Sequence, residues 1–200
     1  MEYIEILSKD SRMKMLIKAT GPLKVSRRKN ICLHLCRSII AQQLSTKVAT
    51  IIENRFMELL PVGNTSAAAV LQVPTSSLRK IGLSATKANY VHNVARFFDE
   101  LSLTDSSFRK LDNESVIELL TQIKGVGRWT VEMTLMFALG REDVFAPDDF
   151  GIQQSMMYTY RLDPSDKKVL RREMDRIAAA WAPYRTYACL HLWKARDIRK

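Results

Sequence analysis

The residues that decide the fold lie in the stretch TQIKGVGRWTVEMTLMFALGREDVFAPDDF, residues 121–150. Near its start, Gly125 and Gly127 lie on either side of a valine, and an apolar segment with helical spacing follows. This pattern predicts two helices joined by a tight turn, because glycine adopts backbone conformations that other residues avoid. Near its end lie Asp148 and Asp149, adjacent acids whose presence in a basic chain needs an explanation.

The glycine turn is suited to bind a phosphate. Glycine lets another molecule approach the backbone closely, and N–H groups in the first turn of a helix bind anions. Lys124 and Arg128 add positive charge on either side of the turn. The alternative is a plain corner between two helices, and two glycines alone do not exclude it. The basic, helical character of the chain favours phosphate binding.

The composition indicates a compact protein with a polyanionic partner. The 200 residues include 31 Lys and Arg against 21 Asp and Glu, which gives a net charge of +10. Such an excess favours nucleic acid over membrane as the partner. No apolar run reaches the roughly 18 residues of a membrane span, and the acidic N-terminus does not resemble a secretory signal. We therefore expect an intracellular protein, in the cytoplasm of a prokaryote or the nucleus of a eukaryote.

The three cysteines are too few and too scattered for a disulfide framework. Cys32 and Cys36 share a face if their segment is helical. No histidine or further cysteine completes a zinc ligand set near them, and an iron–sulfur cluster would need four thiolates. We expect this pair to be small core residues, and we predict no metal site and no cofactor.

Helical periodicity runs through nearly the whole chain, and alternating strand patterns are scarce. The predicted helical segments are 31–60 (one long helix or two consecutive ones), 65–73, 75–82, 85–102, 112–123, 150–160, 164–181 and 183–196. The last two segments begin with a proline, which is favoured in the first turn of a helix. We therefore predict an all-α fold with roughly eight to ten helices.

Several segments together resemble the helix–hairpin–helix DNA glycosylases. The segments are IKGVGRWTVEMTLMFALG (123–140), VFAPDDFGIQQ (144–154), IIAQQLSTKVATII (39–52), LRKIGLSATKANYV (78–91) and WAPYRTYACLHLW (181–193). Within that superfamily the chain is most similar to the alkylbase (3-methyladenine type) branch. The resemblance covers most of residues 35–195 and implies two helical lobes with DNA in the cleft between them. One lobe would contain about residues 30–130, with the hairpin at 122–130, and the other residues 1–29 and 131–200.

The resemblance assigns the hairpin to the DNA backbone. The residues implied in this contact are Lys124, Gly125, Val126, Gly127, Arg128 and Thr130. A second small turn at 81–84, followed by Lys87, is predicted to contact another phosphate. The implied partner is double-stranded DNA with a damaged base, bound by a monomer. A cation bound by the hairpin is left open, and the chemistry would not need one.

The resemblance also gives the acidic pair a role. An N-glycosidic bond breaks through a transition state with positive charge near C1′, which a nearby carboxylate stabilises. The family's catalytic aspartate corresponds to Asp149, so Asp148 is expected to be structural or supporting. From the residues alone, Pro147 precedes a helix with Asp148 as its N-cap and Asp149 in its first turn. Two capping acids without chemistry are the alternative.

Two tryptophans, Trp129 and Trp193, bear on the reaction and on the substrate. Related enzymes that also cleave the backbone have a nucleophilic lysine where this chain has Trp129, so we expect a monofunctional hydrolase. The resemblance places Trp129 and Trp193 in the pocket for the flipped base, where an indole attracts a cationic base. Met133, on the same helix face as Trp129, replaces an aromatic of some relatives, which leaves the substrate range open. Trp181 is expected in the core.

A flipped base leaves a gap in the duplex that a side chain must fill. The resemblance places this intercalating residue in segment 42–45, where Gln43 and Leu44 are both candidates. Gln42 is equally well explained by ordinary hydrogen bonding on a helix face.

The predicted function is monofunctional removal of alkylated bases in base excision repair. One alternative is a non-enzymatic DNA-binding module that uses the hairpin only to bind phosphates. The other is a glycosylase for oxidised or deaminated bases. Asp149, at its spacing from the hairpin, favours an enzyme over a binding module.

Overall fold

The computed structural model describes residues 1–27 and 30–198, and this part of the chain contains twelve helices and no β-strand. The helices are α1 (Glu2–Leu7), α2 (Ser11–Thr20), α3 (Ile31–Ala41), α4 (Thr46–Glu58), α5 (Ala67–Leu71), α6 (Thr75–Lys80), α7 (Ala85–Glu100), α8 (Asn113–Leu120), α9 (Arg128–Phe137), α10 (Phe150–Tyr160), α11 (Lys167–Ala179) and α12 (Arg185–Ile198). The predicted all-α class is confirmed. Among these helices, none has the length and apolar character that crossing a membrane requires.

The helix number exceeds the prediction mainly because of the N-terminal segment. Helix α2 begins after Asp10, whose carboxylate accepts hydrogen bonds from the N–H groups of Arg12 and Met13. Its inner face buries Met13 and Ile17, four residues apart. The exposed positions of α2 mix polar residues with Met15 and Ala19, so its apolar face does not stand out as a clear periodic pattern in the sequence.

Segment 31–60 forms two helices, which was one of the two predicted outcomes. Helix α3 ends before Gln42, and Gln43 has a positive φ of 58°, which a continuing helix does not allow. Ser45 then caps α4, because its hydroxyl accepts a hydrogen bond from the N–H group of Val48.

The two C-terminal helices begin later than predicted. Helix α11 begins after Asp166, whose carboxylate accepts hydrogen bonds from two N–H groups of its first turn, so Pro164 lies outside the helix. Helix α12 begins at Arg185, whose N–H group donates to Asp143, so Pro183 lies outside it too. The prediction of a proline in each first turn is therefore wrong, because acidic side chains provide the caps.

The chain forms two compact units. One contains Met1–Arg27 and Leu135–Lys200, and in it α12 packs against α2 and α10. The other contains Arg28–Thr134, and in it α3 and α5 pack against α7. Arg28 and Lys29, at the predicted boundary, lie outside the described residues. The assignment of the units to two DNA-binding lobes stays a prediction.

The cores of both units are apolar. The largest fully buried side chains include Trp181, Leu7 and Met13 in the first unit and Phe56 and Phe108 in the second. The prediction that Trp181 is a core residue is thus confirmed. Cys32 and Cys36 are buried free thiols, as predicted.

Candidate active site

The hairpin between α8 and α9 is anchored by its apolar residues. Ile123 and Val126 are buried, and the N–H group of Val126 donates to the carbonyl of Ile123 at 2.9 Å. Gly125 has a φ of 107°, and a Cβ atom there would overlap the ring of Tyr90 on α7. Glycine is therefore required at this position both by its conformation and by packing.

The second glycine of the hairpin differs from the first. Gly125 has a positive φ and Gly127 does not, so only the first glycine uses the conformation that favours glycine. A Cβ atom at Gly127 would meet nothing within 4 Å, and the residue is exposed. Its backbone is therefore accessible to another molecule. Lys124 is also exposed, and its carbonyl accepts a hydrogen bond from Asn93 of α7 at 3.1 Å.

Arg128 binds carboxylates of both helices that flank the hairpin. Its guanidinium donates to Glu114 of α8 and, at 3.1 Å, to Glu132 one turn along α9. The hydrogen bond with Glu114 raises the pKa of Arg128. Only 2% of Glu132 is exposed, so this carboxylate depends on nearby donors. Arg128 therefore links α8 to α9, in addition to any contact with DNA.

Helix α9 and the turn after α3 line one cavity of about 550 Å³ in the second unit. Its lining includes Gln42, Gln43, Leu44, Trp129, Thr130 and Met133. The volume falls in the range of small-molecule pockets. Trp129 is 40% exposed, whereas Thr130 is buried, and the expected contact of Thr130 with the DNA backbone stays a prediction. The structure thus brings the intercalation candidates together with two of the predicted base-pocket residues.

Lys87 lies close to this cavity in a position the sequence did not predict. Its ammonium donates to the carbonyls of Ile40 and Gln42, at 2.9 and 2.6 Å. Burial lowers the pKa of Lys87. Two of the three N–H donors of Lys87 thus bind the end of α3, and the expected contact of Lys87 with a phosphate stays a prediction.

Asp149 is the N-cap of α10, which corrects the prediction that Asp148 has this position. Its Oδ1 atom accepts a hydrogen bond from the N–H group of Ile152 at 2.8 Å. The same atom accepts another from the indole N–H of Trp193 on α12, also at 2.8 Å. The turn before the helix is fixed by Gln153, whose side chain donates to the carbonyl of Pro147. The carboxylate is therefore held in one orientation by two different helices.

Gly151 makes this arrangement possible, and its role was not predicted from the sequence. A Cβ atom on Gly151 would lie 3.0 Å from Asp149 Oδ1, from Trp193 Cδ1 and from a guanidinium nitrogen of Arg196. These contacts are tighter than ordinary packing allows. The available signal was a glycine in the first turn of an otherwise regular helix, which usually has a packing or functional reason.

Asp148 points to a different neighbour. Its carboxylate pairs with Arg171 of α11 at 2.8 Å, and both side chains are about half exposed. Arg171 also pairs with Asp175 on its own helix. An exposed pair of this kind contributes at most about 1 kcal/mol. This environment fits a supporting role, and the two adjacent acids have different environments.

The predicted site residues are distributed over both units. Trp129, Met133, Gln43, Leu44 and the hairpin belong to the second unit. Asp149, Asp148 and Trp193 belong to the first, where Trp193 also contacts Phe137, with ring centres 5.8 Å apart.

The chain is similar to a family of DNA repair proteins and to individual DNA glycosylases. The family model described as "HhH-GPD superfamily base excision DNA repair protein" matches residues 36–179. DNA-3-methyladenine glycosylase 1 of Schizosaccharomyces pombe is 35% identical over 200 residues, covering 98% of this chain and 86% of that protein.

Two solved structures share the fold at similar identity. The Schizosaccharomyces pombe 3-methyladenine DNA glycosylase Mag1, in complex with abasic DNA, has a TM-score of 0.86 at 33% identity, covering 98% of this chain and 97% of that one. A DNA-3-methyladenine glycosidase from Bacillus halodurans has a TM-score of 0.84 at 34% identity, covering 96% and 87%.

Proposed function

Because this chain belongs to the HhH-GPD superfamily of base excision DNA repair proteins, we propose that it is a monofunctional DNA glycosylase. Its substrate class is alkylated bases of the 3-methyladenine type, and it hydrolyses their N-glycosidic bond. The names of the similar proteins support this assignment. The observation that carries it is the carboxylate of Asp149, which neutral N–H donors from α10 and α12 hold in a fixed orientation.

In this proposal Asp149 is the catalytic residue. Cleavage develops positive charge at the sugar, and a fixed carboxylate stabilises that charge without having to reorganise. The same carboxylate orients the attacking water. An alkylated purine already carries positive charge, so it departs without a strong general acid. One carboxylate is then sufficient, and Asp148 keeps a supporting role through Arg171.

The cavity beside α9 is proposed as the pocket for the flipped base. Trp129 offers an exposed indole, and a cationic base over an indole is attracted more strongly than a neutral one. Trp129 also occupies the place of the lysine nucleophile in enzymes that cleave the backbone. The reaction therefore uses water and leaves an abasic site.

The partner in this proposal is double-stranded DNA with a damaged base, bound by a monomer. The hairpin at 122–130 binds the backbone through main-chain N–H groups, with Lys124 adding charge. Gln43 or Leu44 fills the gap left by the base. The two compact units correspond to the two lobes of the enzyme. It acts where genomic DNA is found, in the cytoplasm of a prokaryote or the nucleus of a eukaryote.

Base release from a panel of modified duplexes tests the proposal. The panel contains alkylated purines, 8-oxoguanine, uracil and hypoxanthine, each incubated with the wild type, Asp149→Asn and Asp148→Asn. We expect release of alkylated bases by the wild type, and a loss of roughly a thousandfold in Asp149→Asn. Asparagine is also a good N-cap, so this variant should keep its fold and its affinity for DNA.

The control and the alternatives are distinguished in the same assay. Asp148→Asn should stay within a few fold of the wild type, because its ion pair is exposed. Binding without release of any base would indicate a DNA-binding module. Release of oxidised or deaminated bases alone would indicate another lesion class, and a covalent adduct trapped by borohydride would contradict the monofunctional mechanism.

A further inference from the structure

The turn at residues 42–45 connects α3 to α4 and carries both intercalation candidates. Gln43 has a φ of 58°, a conformation that costs a residue with a side chain of the order of 1 kcal/mol. Such a conformation persists only where surrounding contacts fix it. Ser45 provides one such contact after the turn, since it caps α4.

Lys87 provides the contact before the turn. The last carbonyls of a helix lack partners within the helix and carry partial negative charge. The ammonium of Lys87 binds two carbonyls at the end of α3, those of Ile40 and Gln42, at 2.9 and 2.6 Å. Lys87 is itself positioned in the first turn of α7, where its N–H group donates to the Ser84 hydroxyl at 3.2 Å. A charged side chain on a separate helix thus fixes the residue that precedes Gln43.

The same turn forms part of the wall of the proposed base pocket. Gln42, Gln43 and Leu44 line the cavity of about 550 Å³ to which Trp129 and Met133 also contribute. Movement of the turn would therefore shift the intercalating side chain and reshape the pocket together.

We propose that Lys87 is a positioning residue for base extrusion, acting through the 42–45 turn. This inference rests on the proposed function of the site. Lys87 touches neither the base nor the sugar in this proposal. Its effect is to keep the intercalating residue in the orientation that fills the gap in the duplex, which favours the extruded state of the damaged base.

The test compares Lys87→Met with Lys110→Met, which removes an exposed lysine of the same unit. Extrusion is followed by the fluorescence of 2-aminopurine next to the lesion, and base release by single-turnover kinetics. We expect Lys87→Met to slow release about 10- to 30-fold from a lesion opposite its normal partner, since two hydrogen bonds are lost. When the lesion lies opposite an abasic site it is already unpaired, so extrusion needs less help from the turn. The rate of base release by Lys87→Met should then fall by less than about threefold. Lys110→Met should match the wild type on both duplexes.

Salt dependence separates this role from a phosphate contact. A positioning role leaves the slope of DNA affinity against salt concentration unchanged, whereas loss of a phosphate contact lowers it by about one. A lowered slope, or equal losses on the paired and unpaired lesions, would overturn the proposal. Lys87→Arg keeps charged donors and should recover most of the extrusion signal. If Lys87→Met does not fold, Lys87→Gln replaces it. The criterion stays the same: the rate of base release must fall more for the paired lesion than for the unpaired one.

Failure of the proposed function would give a different result. A wild-type protein that increases 2-aminopurine fluorescence but releases no base would refute the glycosylase assignment. The effect of Lys87→Met on fluorescence would still decide whether this lysine positions the turn.

Discussion

The starts of α9 and α10 both carry charged residues predicted to act on DNA, and they hold those residues in different ways. Arg128 at the start of α9 binds two carboxylates, Glu114 and Glu132. Asp149 at the start of α10 accepts hydrogen bonds from an amide N–H and from the Trp193 indole, both of which are neutral. These two neutral donors fix the orientation of the Asp149 carboxylate, whereas the two carboxylates that bind Arg128 also offset its charge.

We propose that this difference separates charges that act on a substrate from charges that stabilise the fold. In this proposal Asp149 is oriented for a partner that develops positive charge, as the sugar does during glycosidic cleavage. Arg128 links the two helices of the hairpin, and in the same proposal the contacts with phosphate come mainly from the backbone around Gly127 and from Lys124.

Replacing the indole donor tests the first half of the comparison and has the largest expected effect. Trp193→Phe keeps an aromatic ring but removes the N–H group that binds Asp149. We expect single-turnover base release to fall about 10- to 100-fold, the cost of one hydrogen bond to a charged group. The loss should be the same for cationic and neutral lesions, because it acts through the carboxylate.

Trp129→Phe is the matched variant for this test. It weakens an aromatic surface without removing a bond to Asp149, so its effect should be greatest for cationic bases. If Trp193→Phe showed that same lesion dependence, Trp193 would be a pocket wall and the orienting role would be refuted.

Removing the guanidinium of Arg128 tests the second half of the comparison, the structural role of the charge at the start of α9. Arg128→Gln should lower the free energy of unfolding by about 2 kcal/mol, because the buried Glu132 loses a charged partner. The slope of DNA affinity against salt should not change. Chemical denaturation and binding titrations at several salt concentrations measure the two quantities.

Lys124→Gln is the control for this second test, since it removes an exposed charge from the same hairpin. It should lower the salt slope by about one and leave stability unchanged. Adding Glu132→Gln to Arg128→Gln should recover stability. A stable Arg128→Gln with a reduced salt slope would show that Arg128 binds phosphate after all.

The local part of this architecture was predictable from sequence, and the contacts between distant segments were not. The helical class and the hairpin follow from apolar spacing and from glycine at 125. Whether Asp148 or Asp149 is the N-cap of α10 depends on how the turn at Pro147 ends. Sequence spacing alone predicted Asp148, which is wrong. The bond from Trp193 to Asp149 joins residues 44 positions apart, and Lys87 reaches α3 across 45 and 47 positions. Local periodicity contains no information about such pairs.

A small change at Gly151 tests how closely the start of α10 is fitted around Asp149. Alanine favours a helix over glycine by up to about 1 kcal/mol, and the close contacts of its Cβ atom offset part of this gain, so Gly151→Ala should be about as stable as the wild type. Its Cβ atom would lie 3.0 Å from the acceptor Asp149 Oδ1 and from Trp193 Cδ1, which is bonded to the donor nitrogen, and these must move by a few tenths of an ångström. We expect base release to fall about 5- to 10-fold, measured in single turnover beside thermal unfolding. Gln154→Ala, at an exposed position of the same helix, should change neither quantity. Full activity in Gly151→Ala would mean that the orientation of the carboxylate tolerates such a shift, and the contrast between the two helix starts would then rest on charge alone.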